Sequence, residues 1–129
     1  MFGLFYNKSR EIRQLNRDAP VVIESARQSY RTELVRDIAV LVHRRLREAQ
    51  ENCAQDEACL ERAIAHFRKL HGEARRKTEH AELTAYTLII IYLRGVILGE
   101  TCATARNAID AFLDEWRHAF DSNENATES

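Results

Sequence analysis

The sequence predicts an all-α, antiparallel helical bundle, and three observations point to it. Residues 83–98 read LTAYTLIIIYLRGVIL, with twelve apolar residues of sixteen, and a helix that is apolar on all sides must be buried. Elsewhere, apolar residues recur at intervals of three and four, which is the period of an α-helix. One proline and four glycines in 129 residues leave few of the turns that a strand-rich fold needs.

The N-terminal part of the chain predicts a short helix followed by a long one. The short helix covers residues 7–15. Asp18 then precedes Pro20 in the order typical of an N-cap and a first helical turn. From Pro20 the apolar positions continue at helical intervals, which predicts one long helix over 20–52.

The rest of the chain predicts a second long helix and a C-terminal helix. The second long helix covers 57–98 behind an N-cap at Asp56, and the C-terminal helix covers 101–120 behind a left-handed stop at Gly99. Gly72 interrupts the second long helix, but no proline or cap follows it. We therefore expect that helix to continue through Gly72, with a kink at most.

Length and charge predict one helical domain over 1–120 and a polar, disordered tail over 121–129. The net charge of −1 hides an asymmetry. Residues 1–47 carry ten Lys and Arg against five Asp and Glu, whereas residues 48–129 carry nine against fifteen. These opposite charges can pair within one fold or across a dimer, and the alternative is an anionic partner for the basic half.

The N-terminus lacks the order of a secretory signal, so we expect a cytoplasmic, bacterial-type protein with reduced thiols. A reversible disulfide between Cys53 and Cys59 is the alternative, and Cys102 lies where a helix N-terminus would lower its pKa. The apolar run is short for a membrane span. It also contains Arg94, which needs a partner when buried. The candidate partners are Asp110, Asp114 and Glu24.

Two long antiparallel helices predict an exposed arm over about 38–71, because the other helices cover only one half of the pair. Six apolar residues would then face solvent, namely Leu41, Leu46, Ala49, Leu60, Ile64 and Phe67. An exposed apolar stripe usually marks an interface. We therefore predict a homodimer that packs arm against arm into a four-helix bundle.

Two basic clusters fall on the same arm. They contain Arg44, Arg45, Arg47, Arg68, Lys69, Arg75, Arg76 and Lys77. Together these side chains would bind phosphates of a nucleic acid or another anionic surface. The interleaved glutamates favour a solvated, ion-paired face instead, and no alternation of aromatic and basic residues indicates base stacking.

Two further patterns concern a metal site and the N-terminal residues. Glu115 and His118 have the i, i+3 spacing of metal ligands in helical bundles, but the sequence lacks the second pair that such a site needs. We therefore expect no cofactor. Phe2, Leu4 and Phe5 precede basic residues, so they would either attach to an anionic membrane surface or dock onto the bundle.

No catalytic constellation accompanies these patterns, which argues against an enzyme. The sequence favours a non-enzymatic interaction protein, a small cytosolic adaptor or regulator that acts as a homodimer. Such a protein would recognise an unidentified protein partner through a helical groove. The alternatives are nucleic-acid or anionic-surface binding through the basic clusters, and a metal- or ligand-binding bundle.

Overall fold

A computed structural model describes residues 7–120, which are almost entirely helical. The helices are α1 (Lys8–Ser29), α2 (Thr32–Cys53), α3 (Glu57–Arg76), α4 (His80–Leu98) and α5 (Ala103–Asp114), with a 3-10 helix over Gly99–Cys102. Residues 117–120 are again helical. No strand occurs between residues 7 and 120, and the helices pack against one another, so the predicted all-α helical bundle is confirmed.

The central helix is α4, the apolar run of the sequence. Every residue from 81 to 99 is at least partly buried, and Leu88, Ile89 and Leu93 expose none of their surface. The helix is apolar on all sides because it packs against each of the helices α1, α2, α3 and α5. Within the described residues, the stretch His80–Asp114 would also be long and apolar enough to cross a membrane, a criterion that bundle-core helices meet as well.

α1 continues through Pro20, so the predicted boundary between helices over 7–15 and 20–52 is wrong. Pro20 has no N–H for the carbonyl of Asn16, yet the helix continues because its buried side is uninterrupted: Ala19, Ile23 and Ala26 all lie in the core. The side chain of Asn16 accepts from the N–H of Ala105 at 2.9 Å. It also donates to the carbonyl of Thr101 at 2.9 Å. Asn16 therefore fixes α1 to the start of α5.

The first break in the helices falls at Tyr30 and Arg31, both of which have extended backbones. The Tyr30 hydroxyl lies 3.4 Å from the carbonyl oxygen of His80, at the start of α4. Asp18, predicted as an N-cap, lies inside α1, and its carboxylate accepts from the side chain of Gln14. The position of the break therefore reflects contacts with α4, and no local sequence signal marks it.

The second break separates α3 from α4, so the predicted continuous helix over 57–98 is also wrong. Thr78 takes a φ of +54°. The N–H of Glu79 donates to the carbonyl of Ala74, and the N–H of Thr78 donates to that of Arg75. This is a Schellman motif in which threonine occupies the position that glycine usually takes. Gly72 lies inside α3, so the prediction that the helix continues through this glycine is confirmed.

The fold-back at Thr78 removes the predicted exposed arm. Five of the six residues of its apolar stripe are buried within one chain: Leu46, Ala49, Leu60, Ile64 and Phe67. Leu41 is half-buried. The prediction that this stripe faces solvent is wrong, because α4 returns along α3 and lies against it. The homodimer stays a prediction, but the apolar stripe from which it was predicted is buried within one chain.

Arg94 bridges three helices. Its Nε lies 2.6 Å from Oε2 of Glu11 on α1, and its Nη1 lies 2.8 Å from Oε1 of Glu61 on α3. The predicted partners Asp110, Asp114 and Glu24 are wrong, because Arg94 points to the side of α4 that lies between α1 and α3.

Several predicted helix ends are confirmed. Asp56 caps α3 by accepting from the N–H of Cys59 at 3.1 Å. Gly99 ends α4 with a φ of +83°, where a side chain would be disfavoured. The C-terminal helix is shorter than predicted, because α5 begins at Ala103 and ends at Asp114. The predicted tail over 121–129 and the N-terminal apolar residues Phe2, Leu4 and Phe5 lie outside the described residues.

Candidate functional site: a groove and a basic face

An open groove runs between α2 and α3. Both helices pack extensively on α4, but they contact each other much less. The space between them forms a cavity of about 640 Å³ that is open to solvent. Its volume lies within the range of known ligand sites, about 300–1,000 Å³. The groove therefore follows from the way the two helices share α4 as a support.

The floor of the groove is apolar. Ala49 comes from α2, Ala63, Phe67 and Leu70 come from α3, and Tyr86 comes from α4. The ring of Phe67 lies 6.2 Å from that of Tyr86. The two alanines keep the groove deep, because larger side chains at those positions would fill it. The floor can therefore accept apolar side chains of a ligand.

The rims of the groove carry more positive than negative charge. Arg62 and His66 lie one helical turn apart on the α3 rim, and both are exposed. Arg45 lies on the α2 rim and pairs with Glu48 at 3.0 Å. No carboxylate within residues 7–120 pairs with Arg62. An acidic group that entered the groove would meet an unneutralised cation on the α3 side.

A disulfide closes one end of the groove. Cys53 at the end of α2 is bonded to Cys59 in the first turns of α3, and both line the groove. The predicted free thiols at these positions are therefore wrong, and the alternative of a disulfide is confirmed. The bond fixes the separation of the two helices at this end. Cys102 remains a free thiol.

The predicted basic clusters lie in two different environments. On α2, Arg45 pairs with Glu48 and Arg47 pairs with Glu51, while Arg44 is exposed. The five basic residues of the α3 cluster are all exposed, and none pairs with a carboxylate of residues 7–120; they are Arg68, Lys69, Arg75, Arg76 and Lys77. The prediction that the basic clusters are paired with glutamates is therefore correct for Arg45 and Arg47 on α2 and wrong for the α3 cluster.

The predicted metal pair is not assembled. α5 ends at Asp114, so Glu115 and His118 do not share the face of one continuous helix. The carboxylate of Glu115 instead forms an ion pair with Arg27, and His118 stacks near Trp116. Across residues 7–120, no group of three His, Cys, Asp or Glu side chains is arranged to hold a metal ion.

A second cleft lies between α2 and α5, where the ring of His43 stacks on Phe120 with 4.1 Å between centroids. Asp110 lines it, and neighbouring Tyr92 is half-buried. Burial raises the pKa of Tyr92 to about 12, and the carboxylate of Asp110 contributes to that rise.

Cys102 lies outside this cleft. Burial raises the pKa of its thiol, contrary to the predicted lowering, so a reactive thiolate is disfavoured at Cys102.

No protein-family model, curated protein or solved structure matches this chain significantly. Sequence reasoning missed Arg62, His66 and Tyr86 as groove residues. Arg62 and His66 have the i, i+4 spacing of one helix face and flank Ala63, which was a usable signal. No sequence signal marked Tyr86 as a groove residue, because only the fold-back of α4 brings it under the groove.

Proposed function

We propose that the protein is a non-enzymatic interaction module that binds an acidic amphipathic helix of a partner protein in the groove between α2 and α3. The groove itself carries the proposal: an apolar floor, a cationic α3 rim and an open top lie along two helices. Binding of an amphipathic helix in an apolar groove is a recurrent mode of recognition, with anchors at intervals of three and four residues.

Charge complementarity selects the occupant. The floor residues Ala49, Ala63 and Phe67 favour apolar anchors, and the exposed rim residues Arg62 and His66 favour carboxylates beside those anchors. A basic helix would meet like charge on the α3 rim, and a purely apolar ligand would leave Arg62 without a counter-charge. The predicted adaptor or regulator role corresponds to this kind of binding, and the cytoplasmic location stays a prediction.

The experiment is a titration of the full chain with a fluorescein-labelled synthetic peptide of about 16 residues, with leucines at helical anchor positions and glutamates elsewhere. We expect saturable binding, measured by fluorescence anisotropy. The variant Ala63→Trp fills the groove and should weaken binding at least tenfold. The double variant Arg62→Glu and His66→Glu should do the same through charge repulsion.

The control is Arg10→Glu with Arg13→Glu, two exposed residues of α1 away from the groove, which adds slightly more negative charge than the groove variant because histidine is neutral at pH 7. This control should retain the affinity of the unmodified chain. Equal loss in the groove and control variants would indicate unspecific charge attraction and contradict the proposal. Absence of binding at millimolar peptide would also contradict it.

We also propose that, if the protein forms a homodimer, the dimer contact does not involve the apolar stripe of α2 and α3 that is buried within each chain. Light scattering at low and high salt would measure the molar mass in solution. A dimer that persists in the Ala63→Trp variant would indicate that the groove is free for a partner protein. Loss of the dimer in that variant would identify the groove as the dimer contact, which would contradict the proposed partner.

A further inference from the structure

Gly72 lies in the last two turns of α3, where it is half-buried and no side chain packs closely against it. A Cβ atom built on Gly72 would meet only the end of the Arg76 side chain, at 3.9 Å. A glycine inside a helix lowers its stability relative to alanine, and it usually has a packing or functional reason. No close neighbour within the described residues supplies a packing reason.

Four cations surround Gly72. Arg68 and Lys69 precede it by four and three residues, and Arg75 and Arg76 follow it by three and four, so all four lie next to Gly72 on the helix surface. All four are exposed, and none pairs with a carboxylate of residues 7–120. The four cations therefore share the surface around the half-buried Gly72 with one carboxylate, that of Glu73.

Elsewhere in residues 7–120, some arginines pair with carboxylates, whereas others such as Arg44 and Arg62 do not. Arg27, Arg45, Arg47, Arg94 and Arg117 each lie within ion-pair distance of a carboxylate. Carboxylates are plentiful in residues 48–129, where they outnumber the basic residues. The group around Gly72 is distinguished by its density, because four cations without a carboxylate partner in residues 7–120 lie within about one helical turn of the same glycine.

The composition of this face favours a phosphate backbone over a protein or a membrane. Protein interfaces are typically depleted of lysine and contain an apolar centre, but no large apolar side chain is exposed on α3. The same lack disfavours insertion into a membrane, which needs apolar side chains beside the basic ones. Arginine clusters without aromatic partners suit phosphate contacts without base recognition.

We propose that the α3 face centred on Gly72 binds the phosphate backbone of a nucleic acid without sequence preference. Gly72 lets the backbone approach the helix closely, and Arg68, Lys69, Arg75 and Arg76 contact its phosphates. This surface is separate from the groove, because none of these five residues lines it. The two surfaces therefore allow the protein to hold a nucleic acid and a partner helix at the same time.

The experiment is a titration of the full chain against a fluorescein-labelled duplex DNA of about 20 base pairs at several salt concentrations. Four phosphate contacts predict that affinity falls about a hundredfold between about 50 and 200 mM salt. The variant Arg68→Gln with Arg75→Gln should weaken binding at least tenfold and reduce the salt slope by about two. The variant Gly72→Leu, which covers the backbone at this position but keeps every charge, should weaken binding several-fold.

The control Arg10→Gln with Arg13→Gln removes the same charge from α1 and should leave both the affinity and the salt slope nearly unchanged. Equal loss in the α1 and α3 variants would overturn the proposal, because attraction would then be general. Two other results would also overturn it. One is binding to vesicles of phosphatidylserine and phosphatidylcholine with none to DNA. The other is unchanged DNA binding in Gly72→Leu and the double variant.

Discussion

The two sides of α4 are built differently. On one side, α1, α2 and α5 pack against one another as well as against α4, and side chains such as Asn16 bond between them. On the other side, α3 rests almost entirely on α4, with the disulfide to α2 at one end. The first side is a closed core. The second leaves a groove along one edge of α3 and an uncovered outer face.

The closed side of α4 contributes mainly to stability, whereas the α3 side leaves surface free for binding. Residues such as Phe112 and Ile109 on the closed side are fully surrounded. Phe67 on α3 is also buried, but it lines the groove as well. A helix that is supported from one direction only has free surface for ligands, and the cost is fewer contacts that hold it in place.

The largest effect should come from truncating aromatic side chains on the two sides. Phe112→Ala should lower the free energy of unfolding by about 4 kcal/mol, because the cavity it leaves is closed. Phe67→Ala should cost about 3 kcal/mol, because its cavity opens into the groove and admits water. Urea denaturation followed by circular dichroism would measure both. A larger cost for Phe67→Ala would contradict the proposed difference between the two sides.

The disulfide should contribute less than the core. Replacing both Cys53 and Cys59 with serine should cost about 2 kcal/mol, the entropy expected for so short a loop with a sequence separation of six. Amide exchange should rise near the ends of α2 and α3 that form the closed end of the groove. Dithiothreitol should destabilise the unmodified chain by a similar amount and leave the serine variant unchanged. An equal response of both proteins would show that the bond contributes nothing.

The central position of α4 could be predicted from sequence, because an apolar circumference has one physical explanation in a bundle. Asp56 and Gly99 could be predicted as well, since a cap and a left-handed stop are local requirements. The breaks at Tyr30 and Thr78 could not. Tyr30 is fixed by contacts with α4, and Thr78 takes a conformation that its β-branched side chain disfavours.

The site was predicted only in part, for the same reason. The basic residues of α3 were identified, but their lack of partners depends on which carboxylates the fold brings near. Glu61 of α3, for example, pairs with Arg94 of α4 and not with a basic residue of α3. The groove depends on the fold-back at Thr78. Because the chain folds back at Thr78, the apolar stripe predicted as a dimer interface is part of the core. The same fold-back forms the groove, which no local sequence pattern indicated.

Arg94 connects the two sides and should have an intermediate effect. Arg94→Leu keeps the apolar stem but removes the ion pairs to Glu11 and Glu61. We expect a loss of about 1–2 kcal/mol, reduced by the exposure of Glu61. Glu11→Gln should cost more than Glu61→Gln, because Glu11 is 22% exposed and Glu61 is 51% exposed. Denaturant midpoints of the three variants would establish this order.

Thr78 offers a smaller change in the opposite direction. Thr78→Gly removes a side chain from a residue with positive φ, at the position where a Schellman motif favours glycine. The variant should gain about 1 kcal/mol, a balance between relief of strain and the greater freedom of glycine in the unfolded chain. Thr78→Ala, which keeps the Cβ atom, should not show this gain. Equal stability of all three proteins would contradict the assigned turn.

The smallest effect comes from Gly72→Ala, and its sign is the most informative. Alanine at this open helical position should stabilise the protein by about 0.5–1 kcal/mol, because no neighbour obstructs the new methyl group. The same methyl group covers the backbone at this position, so affinity for duplex DNA should fall while stability rises. A variant that gains stability and keeps its full affinity would show that Gly72 has no role in binding. A variant that gains stability and loses affinity would show that α3 gives up stability at this position for a close approach by its ligand.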